Sequence, residues 1–187
     1  DKRLVLAEWL FHQIGFTQDT SAGMNQLRDM LKGVKLGWDE QNVFHFRRKL
    51  ELSLPETRAI SNDDLIRYDQ SISRHWQWVV RKRRVKEHRE LYPLHFQYLS
   101  LLFTEYFLDR WSLDQMQETT TLLAEVNRFR ERFNSRFDTL SATDKRQCVV
   151  EAFESKDLTK LAFWIATGGG KTLLMHCHIL QLRHYLR

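Results

Sequence analysis

The chain has 187 residues, of which 42% are hydrophobic, and its net charge of +5 favours polyanionic partners mildly. No apolar run reaches the roughly twenty residues of a membrane span, and the charged N-terminus lacks a signal-peptide cleavage site, so we expect no membrane segment. The two cysteines, Cys148 and Cys177, are too few for a disulfide scaffold and favour a cytoplasmic location.

Glycine and proline are scarce, at seven and two residues, which predicts a mostly helical N-terminal region over residues 1–92. The dense apolar segment 4–14 predicts a buried helix, and 19–23 predicts a loop. A second helix that Gly33 ends is predicted by apolar residues at helical spacing, namely Met24, Leu27, Met30 and Leu31.

The next helix begins with a capping pattern, Ser61 followed three residues later by Asp64, and Pro93 stops it. Its apolar stripe consists of Leu65, Tyr68, Ile72, Trp76 and Val79. Trp76 and Trp78 cannot share a helix face, so we expect one in the core and the other partly exposed. Stacking of the exposed indole on a nucleic-acid base is an alternative to a purely structural role.

This helix continues into the densest basic run of the chain, which contains the candidate nucleic-acid contacts Arg81, Lys82, Arg83, Arg84 and Lys86. The alternative is that the run is simply a solvated helix face. A second basic set is diluted by Glu125 and Glu131 and consists of Arg128, Arg130, Arg132 and Arg136.

Segment 94–111 is apolar on nearly all sides, which is typical of a central helix. A further amphipathic helix is predicted by Leu122, Val126, Phe129, Phe133 and Phe137, which step by three or four residues. We interpret residues from about 114 to 152 as a helical insertion.

The C-terminal part has the most informative pattern of the chain. The apolar run 161–164 predicts a strand, three glycines follow it, and the apolar segment 173–186 predicts a helix. Gly168, Gly169 and Gly170 would let backbone N–H groups wrap a phosphate at the helix N-terminus. Lys171 would neutralise phosphate charge, and the Thr172 hydroxyl would ligate Mg²⁺. These two residues are the catalytic candidates, and the alternative is a glycine-rich turn with an incidental lysine.

Residues 166–172 read Ala-Thr-Gly-Gly-Gly-Lys-Thr after an apolar Ile165, where a strict Walker A pattern has glycine or alanine. This form resembles motif I of superfamily 2 DEAD/DEAH-type helicases, and is closest to the motor subunits of type I and type III restriction enzymes. The resemblance adds Ala166 and Thr167 to the candidate ATP-binding residues. It implies that residues 93–187 begin an α/β RecA-like P-loop ATPase domain after the helical region.

Phe96 and Gln97, at the start of the central helix, resemble the aromatic-Gln pair that precedes motif I in this class. The resemblance implies that Phe96 lies against adenine and Gln97 reads its edge, since an amide offers both a donor and an acceptor. The alternative is that both residues merely begin a buried helix. The separation of roughly seventy residues from the loop is longer than the usual pattern.

Together these features predict the N-terminal part of an ATP-dependent nucleic-acid helicase or translocase. The resemblance implies a restriction or antiphage defence system, with ATP and Mg²⁺ as cofactors, DNA rather than RNA as nucleic acid, and partner proteins. Because the water-activating carboxylate and the arginine finger are not recognisable, we expect these 187 residues alone to bind nucleotide weakly, if at all, and to hydrolyse no ATP. The alternative is a helical protein- or nucleic-acid-binding module with a vestigial nucleotide loop.

The sequence argues against two other candidate metal-binding clusters. His176, Cys177 and His178 are consecutive, and neighbouring residues on a helix point about 100° apart, so the three cannot close on one metal ion. Asp39 and Glu40 precede the loop and follow no apolar strand, so they do not match the Mg²⁺-binding Asp-Glu box that follows motif I.

Overall fold

The computed structural model describes residues 1–16, 20–87, 90–163 and 168–186, with side chains throughout except at 20–22, 82–84 and 86–87. These residues form eight α-helices and a short 3₁₀ helix, Ser155–Thr159. The α-helices are α1 (Lys2–Gln13), α2 (Thr20–Leu31), α3 (His45–Ser53), α4 (Asn62–Glu87), α5 (His95–Gln117), α6 (Thr121–Ser135), α7 (Ala142–Cys148) and α8 (Lys171–Tyr185).

The N-terminal helices largely follow the sequence prediction. Asp1 caps α1 by accepting a hydrogen bond from the backbone N–H of Arg3 at 2.9 Å, and α1 buries its apolar face as expected. The predicted loop 19–23 is wrong from residue 20 onwards, because α2 begins at Thr20 and contains Gly23. Gly23 thus lies inside a helix and does not break it, and a Cβ there would make only an ordinary van der Waals contact with the Phe16 side chain at 3.5 Å.

Helix α4 has the predicted start. The Asp64 N–H donates to the Ser61 hydroxyl at 3.0 Å, and the Ser61 N–H donates to the Asp64 carboxylate at 3.1 Å. The two tryptophans separate as expected. Trp76 is 1% exposed and its indole N–H donates to the Leu91 carbonyl at 2.8 Å, whereas Trp78 is 64% exposed.

Helix α5 is central, as its all-round apolar sequence predicted. It packs against α2, α4, α6 and α8 and buries a large part of its surface, including Tyr98, Leu101, Leu102 and Tyr106. Helix α6 buries Leu122, Val126, Phe129 and Phe133 against α1 and α5, as the predicted amphipathic stripe requires. The stripe is wrong at Phe137, which lies beyond the end of α6 at Ser135 and is only partly buried.

The directions of α4, α5 and α8 follow from their side-chain contacts. Arg67 and Ser71 on α4 bind Asp109 and Glu105 on α5, respectively, so α4 and α5 are antiparallel. On α8, His178 lies 3.3 Å from Ser100 of α5, and Tyr185 lies further along beside Glu105, so α5 and α8 are parallel. The C-terminal end of α4 therefore lies at the same end of this layer as the N-termini of α5 and α8.

The predicted α/β architecture is wrong for the part of the chain that is described. No strand or sheet occurs there; the one β-type contact is an isolated antiparallel bridge between Trp38 and Phe44. Residues 161–163 belong to the predicted strand but form no regular element, and residue 164 lies outside the described ranges. A strand exists only when a neighbouring strand completes its hydrogen bonds, and here α8 packs against helices α4 and α5 instead.

Candidate nucleotide-binding site

The glycine loop leads directly into α8. Gly168 has φ of +81° and Gly170 has φ of +78°, conformations that glycine adopts without the strain a Cβ would cause. Gly170 is the N-terminal boundary of α8, no described side chain caps it, and the first helical bond runs from Leu174 N–H to Gly170 at 3.1 Å. The N–H groups of the first turn thus lack intrahelical acceptors. The side chains of Lys171 and Thr172 are exposed beside them.

Gln97 connects the start of α5 to the glycine loop, the two segments that were predicted to bind nucleotide. Its Nε2 donates a hydrogen bond to the Gly169 carbonyl at 2.9 Å, across 72 residues of sequence. Its Oε1 accepts from the Leu94 N–H at 2.8 Å and so closes the first turn of α5. Gln97 is 6% exposed. The geometry makes it a brace between the start of α5 and the loop, and the predicted contact with adenine stays a prediction.

Gly170 is constrained twice by this arrangement. A Cβ at position 170 would collide with Nε2 of Gln97, and the positive φ would strain any other residue. At Gly168, by contrast, a Cβ would meet nothing within 4 Å, so only the backbone conformation favours glycine there. The glycine loop therefore packs directly against Gln97 of α5 at Gly170, where no larger residue fits without displacing that side chain.

Three further residues were predicted to contact ATP: Phe96, which the structure describes, and Ala166 and Thr167, which it does not. The Phe96 ring is partly exposed and lies edge-on to His95, with 5.6 Å between ring centroids. Its predicted contact with adenine stays a prediction. Ala166 and Thr167 lie outside the described residues, so their predicted contacts with ATP are not described.

An apolar groove of about 360 Å³ runs along α8 from Lys171. Its walls include Phe163, Met175 and His178, and the Phe163 and His178 ring centroids are 5.2 Å apart. Burial lowers the pKa of His178 to about 4, so the ring is neutral at pH 7. Cys177 is fully buried, and burial raises the pKa of its thiol to about 12. Among the described residues no cluster of three His, Cys, Asp or Glu side chains could hold a metal ion.

The C-terminal half of α8 is held by a residue that the sequence analysis missed, Glu105 on α5. This carboxylate is fully buried and accepts hydrogen bonds from the Ser71 hydroxyl at 2.8 Å, from Gln181 Nε2 at 2.8 Å and from the Tyr185 hydroxyl at 2.7 Å. Burial raises the pKa of Glu105, and the hydrogen bonds from Tyr185, Gln181 and Ser71 oppose that shift. An acid in the middle of the all-apolar segment 94–111 was the signal that could have identified it.

The basic run lies on the last turns of α4. Arg81 is exposed there, whereas the side chains of Lys82, Arg83, Arg84 and Lys86 are not among those described. In the second basic set, Arg136 is engaged in structure, since its Nη1 lies 2.7 Å from the Glu8 carboxylate. Asp39 is also structural, because its Oδ1 accepts from the backbone N–H groups of Gln41 and Val43 and its Oδ2 from Arg48.

Comparisons with protein-family models, with curated proteins and with solved structures found no match to this chain. Within the described ranges, no helix has both the length and the apolar composition needed to cross a bilayer.

Proposed function

We propose that this chain binds ATP at residues 168–172 and is part of an ATP-dependent nucleic-acid helicase or translocase. The observation that carries the proposal is the hydrogen bond from Gln97 to the Gly169 carbonyl. The resemblance to superfamily 2 helicases assigned both residues 96–97 and the glycine loop to one nucleotide site, and their contact across 72 residues of sequence is what such a shared site requires.

The residues of the loop fit a triphosphate in three ways. The uncapped N–H groups at the start of α8, together with the helix dipole, favour negative charge there. Lys171 is exposed beside them and supplies a full positive charge. The exposed Thr172 hydroxyl offers an oxygen, the ligand type that Mg²⁺ prefers. Bound ATP with Mg²⁺ would supply the phosphoryl-transfer chemistry of the motor.

The first test is ATP affinity. In Lys171→Ala the loop loses its only described lysine, and we expect at least about a ten-fold weaker Kd for ATP in the presence of Mg²⁺, measured by isothermal titration calorimetry. Lys160→Ala removes the same charge from an exposed position just upstream and should bind as the parent chain does. Equal affinity of Lys171→Ala and the parent chain, or no ATP binding by the parent, would refute the proposal.

A second candidate function, a helical binding module with a vestigial loop, is favoured by the helical architecture of the described residues. The two functions differ in the intact protein. If the protein is a motor, Lys171→Ala abolishes ATP turnover and with it any movement on nucleic acid. If it is a binding module, Lys171→Ala leaves function unchanged. Within the motor proposal, the resemblance of motif I extends to a restriction or antiphage defence role with DNA and partner subunits.

A further inference from the structure

One aromatic side chain differs from the other described aromatic side chains in its exposure to solvent. Trp78 on α4 is 64% exposed, and it is the only exposed aromatic residue among those whose side chains are described. Trp76, two residues earlier, has a structural role in the core. Trp78 makes no comparable contribution to packing, because most of its indole faces away from the protein.

The neighbours of Trp78 on its helix face are cationic. Arg74 precedes it by four residues and Arg81 follows it by three, spacings that bring side chains together on one face of a helix. Both arginines are exposed, and neither is ion-paired with a described carboxylate. The sequence contains no acidic residue between Asp69 and Glu87, so nothing on this stretch offsets their charge.

An exposed indole between two arginines matches the chemistry of a single nucleic-acid strand. A base stacks on an aromatic face, and arginines spaced one helical turn away on either side neutralise the adjoining phosphates. A duplex keeps its base faces stacked inside and cannot offer them to Trp78. Val85, 69% exposed one turn beyond Arg81, extends the face with an apolar edge.

We propose that Arg74, Trp78, Arg81 and Val85, named here the α4 face, bind single-stranded nucleic acid by stacking one base on Trp78. This inference rests on the proposed nucleic-acid partner and names the strand form and the contact. Because α4 is antiparallel to α5 and α8, the strand lies at the same end of the helical layer as the glycine loop.

The test is fluorescence anisotropy of a fluorescein-labelled oligothymidine, titrated with the 187-residue chain without nucleotide. Trp78→Ala should raise Kd about ten-fold, the effect of losing one stacked base, and Trp78→Phe should recover part of that loss. Met116→Ala removes another strongly exposed apolar side chain, 80% exposed on α5, and should bind as the parent does. Quenching of tryptophan fluorescence by the oligonucleotide should disappear in Trp78→Phe.

The arginines are tested by salt dependence. Arg74→Ala and Arg81→Ala should each make the negative slope of log K against log salt shallower by about 0.7, the value for one phosphate contact on a single strand. Arg128→Ala, which removes an exposed arginine from α6, is the matched control and should leave the slope unchanged.

Two results would refute the proposal that the α4 face binds single-stranded nucleic acid. One is that Trp78→Ala binds the oligonucleotide like the parent; the other is that duplex DNA binds as tightly as the single strand with the same response to Trp78→Ala. Lys171→Ala should retain oligonucleotide binding. A parent chain that binds ATP but no oligonucleotide therefore refutes this surface alone, and the converse refutes the loop alone.

Discussion

The two ends of α8 are held to the rest of the molecule in different ways. At the C-terminal end, Gln181 and Tyr185 donate hydrogen bonds to the fully buried carboxylate of Glu105. At the N-terminal end, one described side-chain bond, from Gln97 to Gly169, holds the loop, and Lys171 and Thr172 project into solvent. One end is a buried anchor, and the other end keeps its charged and polar groups available for a ligand.

This difference shows how a single helix can combine a buried, hydrogen-bonded end with an exposed terminus. A buried carboxylate stabilises only if its oxygens are satisfied, so the anchor end tolerates little change. The loop end has few partners to lose, so changes there should affect ligand binding more than folding.

The largest effect is expected from Glu105→Ala, which removes the anchor. Three donors from Ser71, Gln181 and Tyr185 lose their buried acceptor, so the free energy of unfolding should fall by about 3 kcal/mol or more. Urea denaturation followed by far-UV circular dichroism measures it. Glu131→Ala, at a side chain 69% exposed on α6, should change stability little. A loss below about 1 kcal/mol would mean that the hydrogen bonds to Glu105 do not anchor α8.

A smaller effect is expected from Gly170→Ala at the loop end. Positive φ should cost Gly170→Ala and Gly168→Ala about 1 kcal/mol each, and Gly170→Ala should cost about 1 kcal/mol more because it displaces Gln97. Urea denaturation of both variants measures the difference. In a Gln97→Ala background that extra cost should vanish, because the two residues act as one contact. Equal costs in both backgrounds would rule out the contact.

The smallest expected effect is a pH dependence of the free energy of unfolding, which arises from Glu105 at the anchored end of α8. Burial raises the pKa of Glu105 above its usual 4.5, so its contribution to stability is full below pH 4.5 and is lost as pH rises through the folded-state pKa. Glu105→Gln removes this titration. The stability of the parent relative to Glu105→Gln should therefore decline as pH rises from 4.5, measured by urea denaturation at several pH values. A flat difference would show that Glu105 titrates normally.

His75 is the group most able to disturb that measurement. It lies 3.9 Å from Glu105, and burial lowers its pKa to about 4. A lowered histidine pKa has the opposite sign, since the stability it contributes is full above 6.5 and declines as pH falls from 6.5 to about 4. Both proteins carry His75, so comparing the parent with Glu105→Gln at each pH removes the part of this contribution that does not depend on Glu105.

Helices could be predicted from the sequence where apolar residues recur at helical spacing between polar ones. The stripe from Leu122 to Phe133 and the cap at Ser61 and Asp64 each depend on spacing within one helix, and the structure confirms them. The start of α8 after the glycines was also predictable, because glycine followed by an apolar segment is a local signal. Which of Trp76 and Trp78 is buried was not, because that depends on which face meets α5.

The failures have physical causes. The run 161–163 has the composition of a buried strand, but a strand needs a partner strand, and a short apolar run cannot reveal whether one is present. The bond from Gln97 to Gly169 depends on how α5 and α8 pack, so the sequence could mark both segments but not predict their contact. Glu105 was overlooked because its partners Ser71 and Gln181 are distant in sequence.

The antiparallel arrangement of α4 and α8 brings opposite poles of two helix macrodipoles to one end of the molecule. The positive pole of α8 lies at the glycine loop, and the negative pole of α4 lies at its basic C-terminal turns, where cations such as Arg81 offset it. The end of the layer that carries the glycine loop therefore combines the positive pole of α8 with the cationic side chains of α4, and neither adds a negative charge there.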